Sequence, residues 1–182
     1  MLLPSGSRVY VDSNVWAYYF VGSDHRHVPA CKRFLREVAE GRFKAVASTF
    51  VLQELLAIAV RARSQTHGAA LTPEETELLA EELIEKVRKF GTEIHDSDLL
   101  ASSGGLPVTA FARSHMVVKG SDAVYDSSST GKVRWKSPGA ADGLHCAFAE
   151  RIEDVDAIAT CDFGMSQMHG SVDVLYLPGE YK

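Results

Sequence analysis

The sequence predicts an α/β fold: a mostly parallel central sheet flanked by helices, in a single domain with an insertion around residues 96–138. Three observations predict it. Short apolar runs alternate along the chain with longer amphipathic stretches, the pattern of strand–helix–strand units. The first run, Val9-Tyr10-Val11, is apolar throughout rather than alternating, as in a strand covered on both faces. At 182 residues the chain is long enough for one sizeable core and short for two.

Each element has a local reason. Arg8 to Val11 is the first strand, and the apolar stretch Trp16 to Val21 follows it. Phe34, Leu35 and Val38 share one face of a helix over Ala30 to Ala39. Lys44 to Ala47 is a second strand. Ser48 or Thr49 caps an apolar helix that runs to about Arg63 through Val51, Leu55 and Ile58. Thr72-Pro73-Glu74-Glu75 is a capping box with proline at the first helical position. Its helix carries Lys86, Arg88 and Lys89 late, which complements the macrodipole, and Gly91 ends it. Thr92 to His95 is a strand, and Ser97 caps a short helix over Asp98 to Ala101. Ala123-Val124-Tyr125 and Lys132-Val133-Arg134-Trp135 flank a polar tip, as in a hairpin. A helix over Ala141 to Arg151 and strands at Ala157 to Thr160 and Val174 to Leu177 complete the reading.

Bulk properties narrow the class. A hydrophobic content of 46% and a charged content of 24% belong to an ordinary globular protein. No apolar run reaches membrane-spanning length, and the N-terminus lacks the features of a signal peptide, so a cytoplasmic protein is expected. Cys31, Cys146 and Cys161 sit in apolar contexts without metal-type spacing and read as buried thiols. The net charge of −5 is unevenly spread. Between Arg113 and Lys136 five Lys/Arg face two acids, or +3, which leaves −8 for the rest.

Four acids stand at the ends of core elements. Asp12 follows the first strand, where open α/β sheets place ligand chemistry, although an isolated Asp there would commonly cap the next helix. Glu54 falls three residues after Val51 and four before Ile58, on the apolar face, where a carboxylate needs a cation or a basic partner. Asp142 opens a helix and Asp162 follows a strand; each alone reads as a cap. Together, strand and helix tips plus a buried Glu can converge on one end of a parallel sheet.

The segments Val9-Tyr10-Val11-Asp12-Ser13-Asn14-Val15, Ser48-Thr49-Phe50-Val51-Leu52-Gln53-Glu54-Leu55, Ala141-Asp142-Gly143-Leu144-His145-Cys146-Ala147-Phe148-Ala149 and Ala157-Ile158-Ala159-Thr160-Cys161-Asp162-Phe163 carry a resemblance. In this order and setting the chain resembles the PIN-domain ribonucleases, and among them the VapC-type toxins of toxin–antitoxin pairs. The resemblance implies catalytic, metal-binding acids at Asp12, Glu54, Asp142 and Asp162. It also implies RNA as substrate, a homodimer and a small antitoxin partner. Many members carry a further acid two residues after the last of these; Gly164 stands there, so no further ligand is implied. The stretch from about Asp96 to Pro138 is longer than the family usually carries.

A carboxylate cluster without soft ligands selects Mg²⁺ or Mn²⁺. Asp12 and Asp142 are the first choices as direct ligands, with Glu54 and Asp162 completing the set directly or through water. Ser13, Asn14 and Thr160 would hydrogen-bond the ligands or a phosphate. Without metal the carboxylates would repel, some would take up protons near neutral pH, and removing one would leave apo stability unchanged or higher. His95, His115 and His145 read as surface or satisfied side chains, His145 lying near the helix face of Asp142. His25 and His27 belong to a polar loop after the Trp16–Val21 stretch, which reads as solvated by default and could touch RNA if it lay near the site. Lys132, Arg134 and Lys136 alternate with Val133 and Trp135, a basic strip suited to an RNA backbone, or a solvated hairpin. Three other readings remain: a housekeeping nuclease of RNA maturation, a PIN-like scaffold that does not cleave, and an aspartate-nucleophile phosphatase. The last usually has a second acid two residues after the first, where this chain has Asn14.

Overall fold

The structure, a computed structural model, describes residues 3–22, 25–97, 125–127, 132–134, 140–166 and 171–181. Its centre is a five-stranded sheet in the order β3-β2-β1-β6-β7, parallel throughout. The strands are β1 (Arg8–Val11), β2 (Lys44–Ser48), β3 (Glu93–His95), β6 (Val155–Thr160) and β7 (Asp173–Tyr176). Between them run α1 (Ser13–Phe20), α2 (Val28–Ala39), α3 (Thr49–His67), α4 (Pro73–Arg88), α5 (Ala140–Ala149) and α6 (Phe163–Ser166), with α7 (Leu177–Glu180) last. The expected α/β architecture is present.

Why these strands are central follows from their side chains. Val9, Tyr10 and Val11 are fully buried, as are Val46, Ala47 and Ala159, so both faces of the middle strands are covered. The chain leaves β1 on one side to form β2 and β3, then returns to the other side as β6 and β7. β1 and β6 therefore flank the point where strand order reverses, and a crevice at their C-terminal ends is the usual ligand position in such sheets. Asp12 extends this pairing, its amide donating to the Ala159 carbonyl at 3.0 Å.

Several boundaries differ from the sequence reading for identifiable reasons. The residues after Asp12 form α1, which buries Val15 and Trp16 and stacks Trp16 on Phe20 and edge-on against Phe90. The Ser48 cap is present, its hydroxyl accepting from the Val51 amide, but α3 continues past Arg63 to His67. Gly68 stops it in a left-handed conformation at φ +69°, which L side chains avoid. Ile58 is 38% exposed; the buried stripe of α3 is Val51, Leu55 and Ala59. The Thr72–Glu75 capping box forms reciprocally, as its residues dictate. The hairpin expected around residues 123–135 is an antiparallel pair, β4 (Tyr125–Ser127) with β5 (Lys132–Arg134), in which Asp126 faces Val133. The helix expected over Asp98 to Ala101 lies outside the described residues.

Candidate metal centre

Asp12 occupies the position that precedes α1, yet its side chain makes no capping hydrogen bond to that helix. The carboxylate turns inward instead. Oδ2 accepts from the Thr160 hydroxyl at 2.7 Å and from the Asn14 side-chain amide, while Oδ1 accepts from the Ser13 hydroxyl at 3.2 Å. The one Ser13 proton has its shorter contact with Glu54 Oε2 at 2.7 Å, so the hydroxyl lies between the two acids. The spacing explains this. Asp12-Ser13-Asn14 is a strand end passing into a helix, so three successive polar side chains splay over the C-terminal edge of β1 and β6.

Asn14 fixes that edge. Its Nδ2 donates to Thr160 Oγ1 at 3.0 Å and its Oδ1 accepts from the Cys161 amide at 2.9 Å. Thr160 Oγ1 in turn accepts from the Asp162 amide at 2.9 Å. Ser13, Asn14 and Thr160 thus orient the acids, the arrangement by which outer hydrogen bonds set the direction of metal ligands.

The third member is His145, which is 2% exposed. Its Nε2 lies 2.7 Å from Glu54 Oε2 and 3.4 Å from Asp12 Oδ1. Its Nδ1 lies 3.1 Å from the Tyr10 hydroxyl, which is itself 2.8 Å from Ser48 Oγ, the residue that caps α3. The ring is a satisfied histidine, as expected, but a buried one within the site. Among the described residues, Asp12, Glu54 and His145 form a group whose ligand atoms all lie within 4.8 Å of one another.

The charges of this group act against the expected mutual repulsion. Half-burial pushes the Glu54 carboxyl up, but the hydrogen bond and charge of His145 and the hydroxyl of Ser13 outweigh it, and the group sits below its ordinary range. Burial alone would lower His145; Asp12, Glu54 and Asp142 overcome it and raise the imidazole above its ordinary value. Glu54 and His145 thus each favour the other's charged form, so the carboxylate on the apolar face has a basic partner. Burial pushes the Tyr10 phenol well above its usual range, so it remains a neutral hydrogen-bond partner.

The other two predicted acids lie apart from the tight group. Asp142 is half-buried in the first turn of α5, one turn before His145, and its charge reaches that ring. Asp162 uses Oδ1 to accept from the amides of Gly164 at 2.6 Å and Met165 at 3.4 Å, capping α6. Gly164, where a further acid was absent, serves through its backbone. Lys132 and Arg134 lie on β5, whereas Lys136 and His115 fall outside the described residues. Sequence reasoning missed Tyr10 and underweighted His145. The signal for Tyr10 was a phenol within a fully buried strand, since such a hydroxyl needs a partner.

Residues 9–170 match the PIN domain family. The chain belongs to that family. No curated protein matches the sequence. PIN domains are typically Mg²⁺- or Mn²⁺-dependent nucleases that act on RNA, and the donor set here fits such an ion. Asp12 and Glu54 offer ionised oxygens, the hard donors these cations prefer. His145 adds one imidazole nitrogen within reach of both carboxylates. No helix among the described residues is long and apolar enough to cross a membrane.

Proposed function

We propose that this PIN protein is a metal-dependent endoribonuclease, the toxin of a type II toxin–antitoxin pair. The observation that carries the nuclease reading is the convergence of Asp12 and Glu54, with their hydroxyl and amide supports, at the switch point of the sheet. Asp12 and Glu54 would hold Mg²⁺ or Mn²⁺, with Asp142 and Asp162 adding negative charge nearby. When bound, the ion would polarise a phosphodiester, supply a water of lowered pKa and stabilise charge on the leaving oxygen. The chain's own residues do the rest. Thr160, Asn14 and Ser13 keep the carboxylates aimed, and His145 Nε2 stays in hydrogen-bond contact with Glu54.

The toxin reading rests on the order of the four motifs. A homodimer is supported by the α3–α4 face, where Leu52, Leu56, Leu83 and Ile84 line an apolar groove of about 220 Å³. A dimer by light scattering at micromolar concentration is the expected result. The partner would be a small antitoxin encoded beside this chain, and inhibition of RNA cleavage by that neighbour's product is the deciding experiment. Cleavage that the neighbour leaves untouched would favour a nuclease of RNA maturation.

A further inference from the structure

A cavity of about 230 Å³ opens directly beside the carboxylates. Asn14 belongs to both: its side chain bonds Asp12 and Thr160 and also lines the cavity, as does Asp162, whose amide donates to Thr160. The other walls are mostly rings. Tyr18 stacks on His25 with centroids 4.3 Å apart and planes 14° from parallel, and it meets His27 edge-on at 5.6 Å. Phe163 meets Tyr176 edge-on at 5.8 Å. Arg26 also lines the cavity, its Nε 3.4 Å from His27 Nε2.

Flat rings, one guanidinium and one carboxylate at the wall of a small cavity suit a planar heterocycle with polar edges. The volume is below the roughly 300 Å³ where pockets for drug-sized ligands begin, so one ring system fits rather than an extended ligand. Proteins read single-stranded RNA in this way, stacking splayed bases on Tyr, Phe and His and bonding their edges. His27 contributes as a neutral ring: burial, Arg26 and His25 all lower its proton affinity, leaving one nitrogen a donor and one an acceptor.

We propose that this cavity takes one unstacked nucleobase of single-stranded RNA, from a nucleotide flanking the phosphate held at Asp12 and Glu54. The proposal rests on the ribonuclease reading and adds where the strand is gripped. It makes Tyr18 and His25 contributors to substrate choice, apart from the acids.

The test moves a single abasic nucleotide along a short single-stranded RNA and compares kcat/KM. With the wild-type protein and Mg²⁺, one position beside the scissile phosphate should lose roughly 5- to 100-fold, the worth of one aromatic stack. Tyr18→Ala should cleave the intact strand more slowly by a similar factor and no longer sense that abasic position; Tyr18→Phe should behave as wild type. Tyr18 is half-buried, so the exposed His25→Ala serves as a second variant should the first unfold. Equal abasic penalties in wild type and His25→Ala would overturn the proposal. A separate arm titrates the four nucleoside 5′-monophosphates without metal and follows the ring signals of Tyr18 and His25 by NMR. Shifts in those rings without RNA cleavage would uphold the cavity while the nuclease reading fails. Cleavage with unmoved rings would do the reverse.

Discussion

His145 Nε2 and Glu54 Oε2 meet at 2.7 Å although 91 residues separate them, and this ion pair stands in the middle of the proposed metal site. Each partner shifts the other toward its charged form. The site is thereby held together before any metal arrives. A basic ring among the acids offsets the repulsion that a bare acid cluster would suffer.

Stability of the metal-free protein should depend on pH through this pair. His145 is raised above its ordinary value of 6.5, so its contribution is complete below that value and fades as pH rises through the higher folded value. Glu54 is lowered below 4.5, so its contribution is complete above that value and fades as pH falls through the lower folded value. Both describe one interaction and do not add. Urea unfolding in EDTA should give a maximum in the weakly acidic range, between the two ordinary values, and a decline on each side. His145→Gln should lower that maximum by about 1–3 kcal/mol. A flat profile from pH 4.5 to 8 would contradict the pairing.

Single-stranded RNA should be cleaved in Mg²⁺ or Mn²⁺ and left intact in EDTA, with activity restored by adding either ion. Undiminished cleavage in EDTA, with contaminating nuclease excluded by an Asp12→Asn control, would remove metal from the mechanism.

Asp12→Asn and Asp142→Asn should each reduce cleavage by roughly 100-fold or more. Their effects on the apo fold should differ. Asp12 accepts from Ser13, Asn14 and Thr160 and lies 3.4 Å from the His145 nitrogen, so its replacement should cost about 1–3 kcal/mol rather than relieve strain. Asp142 is half-buried on the first turn of α5 and should leave stability within about 1 kcal/mol. Thermal melts beside activity assays separate the two, and wild-type activity in both variants would refute the assignment.

Thr160→Val preserves shape while deleting the hydroxyl that donates to Asp12 at 2.7 Å. Metal affinity by titration calorimetry should fall roughly 10- to 100-fold. Unchanged affinity would show that Asp12 needs no such support.

Replacing Lys132, Arg134 and Lys136 together with Gln should weaken RNA binding and flatten its salt dependence, while metal affinity stays constant. Binding curves that superimpose on wild type from low to high salt would give this strip another role.

Much of this was legible because the fold is locally consistent. Val9-Tyr10-Val11 can only be a covered strand, and Thr72-Pro73-Glu74-Glu75 specifies a helix start without tertiary help. Asp12, Glu54, Ser13, Asn14 and Thr160 were legible as a group because strand ends and one helix place them at one sheet edge. His145 was harder. Its ring earns its charge state from Asp12, Glu54 and Asp142, which only the folded chain brings near. Asp162 takes up the capping role that its strand-end position alone suggested, its Oδ1 accepting from the turn that begins at Phe163.

Thr160 reaches Asp12 across 148 residues of chain, and β6 can join β1 only once both strands exist. A ribosome that has released Asp12 and Glu54 but not yet Thr160 carries acids with no completed edge to hold them. The Asp12 edge is therefore completed only after β6 has emerged and paired with β1. Under the proposed nuclease function, this order of birth would withhold activity until β6 has joined β1.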